Sequence, residues 1–338
     1  MVARHLQSFS ALSFHRPFCV KFSPHHFFGC FLSPHLSPSR HRSHSLKVSV
    51  RGSLSPPSSS DNKVRSHSHR LRRRIVSAAV SEENATRSPP SSTDVFKLTY
   101  LEANGWLWEV GGSTILVDPI LVGNLDFGIP WLFDASKKVL KNFQLSDLPE
   151  VDCLLITNRL DDHCHLKTLK PLSAEFPNWR VISTPNAKAM LDPLFNCVSY
   201  LEPGQITEIK GRDGSTVRVR ATPGSIVGPP WQCPENGYLV TSPKGQITLY
   251  YEPHCIYNRE FLMEEQADII VTPIIKQLVS KFTLVFGQED AVKLAKLLRA
   301  KFIVPMNNGD LDSRGFLARF IQAKGTIESF KVGFFYHH

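Results

Sequence analysis

Carboxylates are nearly missing from the first quarter of this 338-residue chain. Between Met1 and Val80 only Asp61 is acidic, against 13 lysines and arginines. The formal charge of +9 belongs to that segment, because the remainder holds 26 basic and 29 acidic residues. A nearly neutral remainder gives no reason to expect nucleic-acid binding. The leader lacks an apolar run of 18 residues, and no membrane anchor is read elsewhere. The seven cysteines show no CxxC spacing. Cys153, Cys164, Cys197, Cys233 and Cys255 are therefore expected to be free thiols. Nothing matches a P-loop or a dinucleotide fingerprint. Histidine is scarce where it would matter most. Nine of the 14 lie in the leader, and His337 and His338 are terminal. That leaves His163, His165 and His254.

What is present divides the chain in three. Residues 1–78 are rich in Ser, His, Pro and Arg, the composition of a cleaved organelle transit peptide. Arg72-Arg73-Arg74-Ile75-Val76-Ser77-Ala78-Ala79 resembles a chloroplast stromal processing site, with a mitochondrial address as the alternative. A disordered basic tail or a nuclear signal is the bland reading of the same residues. Residues 79–94 form a polar linker holding Pro89-Pro90-Ser91-Ser92. Residues 95–338 suit a single α/β domain.

Within that domain, Asn104-Gly105 and Gly111-Gly112 separate three apolar runs, which predicts a β-meander ending at Asp118. Val151 to Ile156 is nearly all apolar and reads as a strand buried on both faces. A helix is expected to open near Asp161-Asp162, and a βα unit covers Val181 to Leu194. Hairpins are expected at Ile206–Ala221 and Gly237–Tyr251. A helix follows near Arg259–Glu265, then strand Ile269–Thr272, helix Glu289–Ala300 and strand Phe302–Val304. Helix Arg314–Ala323 and a last strand, Ile327–Phe335, close the domain. A meander followed by βα units, given twice, fits two sheets packed face to face with helices outside, an αββα sandwich.

Ligands of α/β sheets gather beyond the carboxyl ends of strands. The polar residues there are Asp118; Thr157 to His165; Pro223 to Ser225; Glu252-Pro253-His254; and Asn307 to Asp310. Imidazole with carboxylate is a ligand set for zinc and similar ions. Helix capping by the same residues is the ordinary alternative. Cys164 and Cys255 flank candidate ligands; a small buried residue is the simpler reading of each.

These strand-end clusters resemble the metallo-β-lactamase-fold superfamily, from about Phe96 to the C-terminus. Its signature, His-x-His-x-Asp-His, falls on Asn158-Arg159-Leu160-Asp161-Asp162-His163, where only the last two positions match. The family's next histidine falls near Ser225, its bridging Asp at Glu252 and its last histidine at Asn307. The resemblance implies that the first, three-histidine metal site is gone. It leaves a reduced, mononuclear site of Asp162, His163 and Glu252, with His254 as replacement ligand and His165 as a further candidate. One divalent ion, zinc or else iron or manganese, would sit there. Asp162 would also orient the attacking water. Asp118 matches a residue that braces the metal loops. Asp161 is either a similar brace or a helix-terminal charge, and Asn158 and Asn307 would face substrate.

Three readings stay open. One is a metal-dependent hydrolase of a small ester, thioester, lactone or phosphoester. Another is a non-catalytic binding protein on the same fold, and the third is metal-free acid–base catalysis. A small molecule is the expected partner, and oligomeric state is left open.

Overall fold

The computed structural model describes residues 20–21, 47–51, 95–226, 231–309 and 311–330. The proposed processing site, most of the leader and the linker lie outside these residues, as do Asp310, His337 and His338. From the leader, only two short strands are described, β1 (Val20–Lys21) and β2 (Lys47–Arg51).

The domain opens as the expected meander: β3 (Val95–Tyr100), β4 (Trp106–Val110) and β5 (Ser113–Val117), all antiparallel. After β6 (Asp134–Lys137), strand β7 (Cys153–Ile156) pairs parallel with β5. Helix α1 (Leu166–Glu175), β8 (Arg180–Ser183), α2 (Lys188–Leu191) and β9 (Cys197–Tyr200) follow, with β7, β8 and β9 parallel. The first sheet therefore runs β2-β3-β4-β5-β7-β8-β9.

The second half gives β10 (Ile206–Lys210), β11 (Thr216–Pro223), β12 (Asn236–Thr241) and β13 (Thr248–Tyr251) as an antiparallel set. Then come α3 (Arg259–Leu262), β14 (Ile269–Pro273), β15 (Lys276–Val279), β16 (Phe282–Val285), α4 (Glu289–Leu297) and β17 (Phe302–Met306). Strands β13, β14 and β17 are parallel, and the second sheet runs β1-β17-β14-β13-β12-β11-β10. Finally β18 (Leu311–Arg314) pairs with β6, and β19 (Ile321–Lys324) pairs with β15.

Side-chain alternation makes the layers. Trp106 and Trp108 point inward with Phe96, Ile115, Val117 and Leu155, where they meet Val219, Tyr238, Val240, Leu249 and Val271 of the facing sheet. The ring of Trp108 stands edge-on to Tyr251, centroids 5.4 Å apart. Leu107, Leu116, Leu154 and Val181 turn to the other face, under Leu169 and Leu172 of α1. Tyr250, Ile270 and Ile303 do the same beneath Leu294 and Ala295 of α4. Two sheets thus share one core, and each carries helices outside: the αββα sandwich. Among the described residues no helix is long and apolar enough to cross a membrane.

The C-terminal part corrects the reading from sequence. The expected helix Arg314–Ala323 is broken: β18 ends at Arg314, Leu317–Arg319 forms a single 3-10 turn, and β19 follows. Gly315 is the reason. It adopts φ +101°, and a Cβ there would lie 2.7 Å from the Leu132 carbonyl oxygen. Ile327–Phe330, expected as strand, is helical, with Phe330 N–H donating to the Thr326 carbonyl at 3.0 Å. Residues 331–335 lie outside the described residues. The helix expected at Asp161-Asp162 starts later, at Leu166. Asp161 to Cys164 instead form a turn in which the His163 and Cys164 amides donate to the Leu160 carbonyl at 2.9 and 2.7 Å.

Candidate metal centre

Parallel pairing of β5 with β7, and of β13 with β14 and β17, brings the carboxyl ends of all five strands to one edge of the sandwich. The site is built there, starting from Asp118. This residue follows β5 at φ +40°, a conformation that Asp tolerates better than most residues. Its carboxylate accepts from Thr157 N–H at 2.9 Å, from the Thr157 hydroxyl at 2.5 Å and from His163 Nδ1 at 2.9 Å. All three residues are fully buried. A donor at Nδ1 fixes the tautomer and aims His163 Nε2 the other way.

What Nε2 meets defines the centre. His254 Nε2 is 3.3 Å away, and so is Asp162 Oδ2. The three ligand atoms of Asp162, His163 and His254 lie within 4.8 Å of one another. Bonds of about 2.0–2.1 Å at tetrahedral angles put neighbouring zinc ligands about 3.3 Å apart. Both edges from His163 match that spacing, and the third, from Asp162 to His254, is within 4.8 Å. Asp162 Oδ1 and His254 Nδ1 are buried and have no hydrogen-bond partner. The donor set therefore fits one tetrahedral ion with three protein ligands and an open fourth position.

One group competes for this space. Asn104 follows a turn in which Glu102 and Ala103 both have positive φ, 69° and 49°. Its Nδ2 lies 3.1 Å from His163 Nε2 and 3.5 Å from Asp162 Oδ2, and donates to the Asp162 carbonyl at 2.9 Å. Its Oδ1 accepts from Asn308 Nδ2 at 2.9 Å, and its carbonyl accepts from the Tyr251 hydroxyl at 3.0 Å. An ion entering the trio displaces this amide from His163.

The other residues expected from sequence divide sharply. Glu252 does not join the three converging atoms. Its Oε2 accepts from the backbone N–H of His254 at 3.0 Å and of Ile256 at 2.6 Å, and its Oε1 stands 3.5 Å behind His254 Nδ1. It shapes the loop that presents His254. His165 is turned away, bonded to the Thr168 hydroxyl at 2.9 Å and near the Asn124 carbonyl. Burial pushes its pKa down to about 4, so it stays neutral. Asp161, whose pKa burial raises to about 6, lies 3.4 Å from the Leu166 amide as a helix-terminal group. Asn158 accepts from Leu160 N–H at 3.0 Å and reaches toward Ser225, 3.5 Å away. Asn307 is half-buried and its carbonyl accepts from the Tyr100 hydroxyl; its neighbour Asn308 enters the cluster instead. A strand end places successive side chains on opposite faces, so a shift of one residue decides which asparagine faces in.

Reading from sequence missed Asn104 and Glu235, and placed Asn308 at a strand end without giving it a role. Asn104 looked like a turn residue before Gly105. Glu235 starts from an unremarkable Cys-Pro-Glu-Asn run, yet it is 1% exposed, with the side chains of Thr184 and Asn186 as its polar neighbours. Arg159 Nε is 3.7 Å from it. Burial lifts its pKa to about 7. For His163, burial lowers the pKa, but the carboxylates of Asp162 and Asp118 outweigh it and hold the metal-free imidazole up to about 10. Cys164 and Cys255 are buried free thiols whose pKa burial raises far above the thiolate-forming range, so neither is an activated nucleophile. Cys153, Cys197 and Cys233 are also unpaired.

No curated protein sequence matches the chain. Among solved structures it is similar to Igni18, a metallo hydrolase from the archaeon Ignicoccus hospitalis, at 16% identity and a TM-score of 0.43, covering 65% of this chain and 99% of that one. It is also similar to isothiocyanate hydrolase from Delia radicum gut bacteria, at 14% identity and a TM-score of 0.45, with coverage of 65% and 99%. CmlA, a diiron β-hydroxylase from Streptomyces venezuelae, matches at 18% identity and a TM-score of 0.45, covering 60% of this chain but only 43% of CmlA. The family model for the beta-lactamase superfamily domain matches residues 97–307, well over half of the chain. With the αββα sandwich and strand-end centre described above, the chain belongs to the beta-lactamase superfamily and has the metallo-β-lactamase fold.

Proposed function

We propose that the protein is a hydrolase with a single divalent metal ion, zinc or else iron or manganese, held by Asp162, His163 and His254. The observation that carries this reading is the pair of 3.3 Å separations from His163 Nε2 to His254 Nε2 and Asp162 Oδ2. A bound ion supplies Lewis acidity, which lowers the pKa of water and polarises an ester, thioester or phosphoryl oxygen. The chain's own groups do the rest. Asp118 and Thr157 hold His163 in one tautomer and one orientation. Asp162 Oδ1, buried without a partner, is free to take a proton from the attacking water. Burial of the trio, from 0 to 5% exposed, keeps bulk water from competing.

The test is turnover of a panel of small esters, thioesters and phosphoesters by the purified full chain. Activity that disappears on chelation and returns with zinc supports the reading. Activity that survives chelation points to acid–base catalysis by the same residues, and no activity in a metal-loaded chain contradicts a hydrolase.

A second reading, a non-catalytic binding protein, draws on Asn104. Its amide already bonds two residues of the trio, as expected where an asparagine has taken over a lost ion's role. Asn104→Ala separates the two: it improves metal uptake in a metalloprotein and only destabilises a protein that has no ion to bind.

The acid-poor leader supports delivery to the chloroplast stroma, with the mitochondrion as alternative. A fluorescent fusion of residues 1–94 that stays in the cytosol would contradict both.

A further inference from the structure

Outside the metal centre lies a cleft of about 740 Å³ between the segment after β5 and the segment after β6. Its apolar wall includes Leu121, Leu140, Phe143 and Pro171, and its polar groups include Lys137 and Lys141. No carboxylate lines it. Lys137 is 8% exposed, and its ammonium donates to the Leu121 carbonyl and sits 5.8 Å from the centre of the Phe143 ring.

The acids around the cleft are committed elsewhere. Glu102 accepts from the amides of Lys138, Val139 and Leu140 at 2.7–2.9 Å. Asp126 pairs with Lys167, and Asp134 with Arg314 and Asn124. Asp147, near the rim, accepts from the Gln144 amide. Among the described residues Lys137 has no ion-pair partner within 4.0 Å. A buried ammonium without a direct ion pair is costly, and burial lowers its pKa to about 8 although the more distant Glu102 carboxylate opposes the shift. A cleft of this size is ordinary for a small-molecule site.

We propose that this cleft binds a small organic carboxylate with an apolar body, its head paired with Lys137 and Lys141 and its body laid on Leu140 and Phe143. The charge is anionic because the cleft offers two cations and no acid. The body is apolar because about half of the wall is, with Leu121, Leu140, Phe143 and Pro171 in it. The inference does not depend on the hydrolase reading, since no residue of the trio lines the cleft.

Calorimetric titration of the full chain with decanoate, decanol and inorganic phosphate tests it. Decanoate is expected to bind saturably at one site and at least about tenfold more tightly than either control, since a hydrogen bond to a charged group contributes that much. Lys137→Met should lose that advantage, and Lys137→Arg should keep most of it. Lys141→Glu, on the exposed rim, should weaken decanoate about tenfold without touching the core, so the test survives if the Lys137 variants fold poorly. Equal binding of decanol, phosphate binding as tight as decanoate, or decanoate binding indifferent to Lys141→Glu would each overturn the proposal.

Discussion

The two loops that supply the histidines are built from the same residue types and behave differently. After β7, His163 is tied through Nδ1 to Asp118 and Thr157, all of them fully buried. After β13, His254 Nδ1 makes no hydrogen bond: Glu252 Oε1 stands 3.5 Å from it while Oε2 serves backbone amides. One acid fixes a side chain and the other fixes a loop. Cys255, at φ 55°, adds a left-handed residue to the second loop, so its shape rests on Glu252 holding a conformation that Cys does not favour. The first loop anchors its histidine ring through buried side chains, and the second positions its histidine through backbone bonds.

The largest effect that would test this contrast is at Asp118. Asp118→Asn replaces an acceptor of three hydrogen bonds with a group that presents a donor to Thr157 N–H or to His163. It should cost about 3–5 kcal/mol, read as a lower urea midpoint at unchanged slope. It should also weaken metal binding by about 10- to 100-fold, the usual loss when an outer partner of a ligating histidine is removed. If the variant unfolds like the parent, Asp118 does not anchor the loop and the contrast fails.

Glu235 extends the comparison to an acid with neither role. Its pKa is raised to about 7 from the 4.5 of an unconstrained Glu, mainly by burial. The sign follows directly. Between 4.5 and 7 the unfolded chain ionises Glu235 while the folded chain keeps it protonated. The folded state binds more protons there, so stability falls as pH rises through that window and levels off above it. The span corresponds to at most about 3.5 kcal/mol. Glu235→Gln should flatten that part of the stability profile and stabilise the protein at pH 8. An unchanged profile would show that Arg159 compensates the ionised form.

Smaller still is the expected effect of Glu252→Gln, about 1–2 kcal/mol, because one of two carboxylate acceptors remains as an amide oxygen. His254→Ala should cost a similar amount in the metal-free chain, about 1–2 kcal/mol, because it removes a buried ring and its 3.3 Å contact with His163 Nε2 but no hydrogen bond at Nδ1. It should nonetheless abolish metal binding, whereas Glu252→Gln should only weaken it. Reversal of those two effects on metal uptake would make Glu252 a ligand and His254 a bystander.

Much of the sandwich was legible because its signals are local: alternation in β3 to β5, the apolar run of β7, and hairpin turns between β10 and β13. The C-terminal β18 and β19 were not, because each pairs with a strand far away in sequence and Leu317–Ala323 imitates a helical pattern. Asp118, Asp162, His163 and His254 stood out as scarce residue types at strand ends. Their division of labour did not, since it depends on which ring nitrogen faces which acid. Glu252 illustrates the limit: family position suggested a ligand, and a loop folding back on its own carboxylate made it a brace. Asn104 lay beyond reach because its partners, Asp162, His163 and Asn308, come from segments 58 to 204 residues away.

The central claim is one ion held by Asp162, His163 and His254. Elemental analysis of the purified chain beside an Asp162→Ala/His254→Ala variant tests it most directly. The expected result is close to one equivalent of zinc, iron or manganese in the parent and its loss in the variant. Less than about a tenth of an equivalent in a folded parent, even after metal is supplied, would contradict the account.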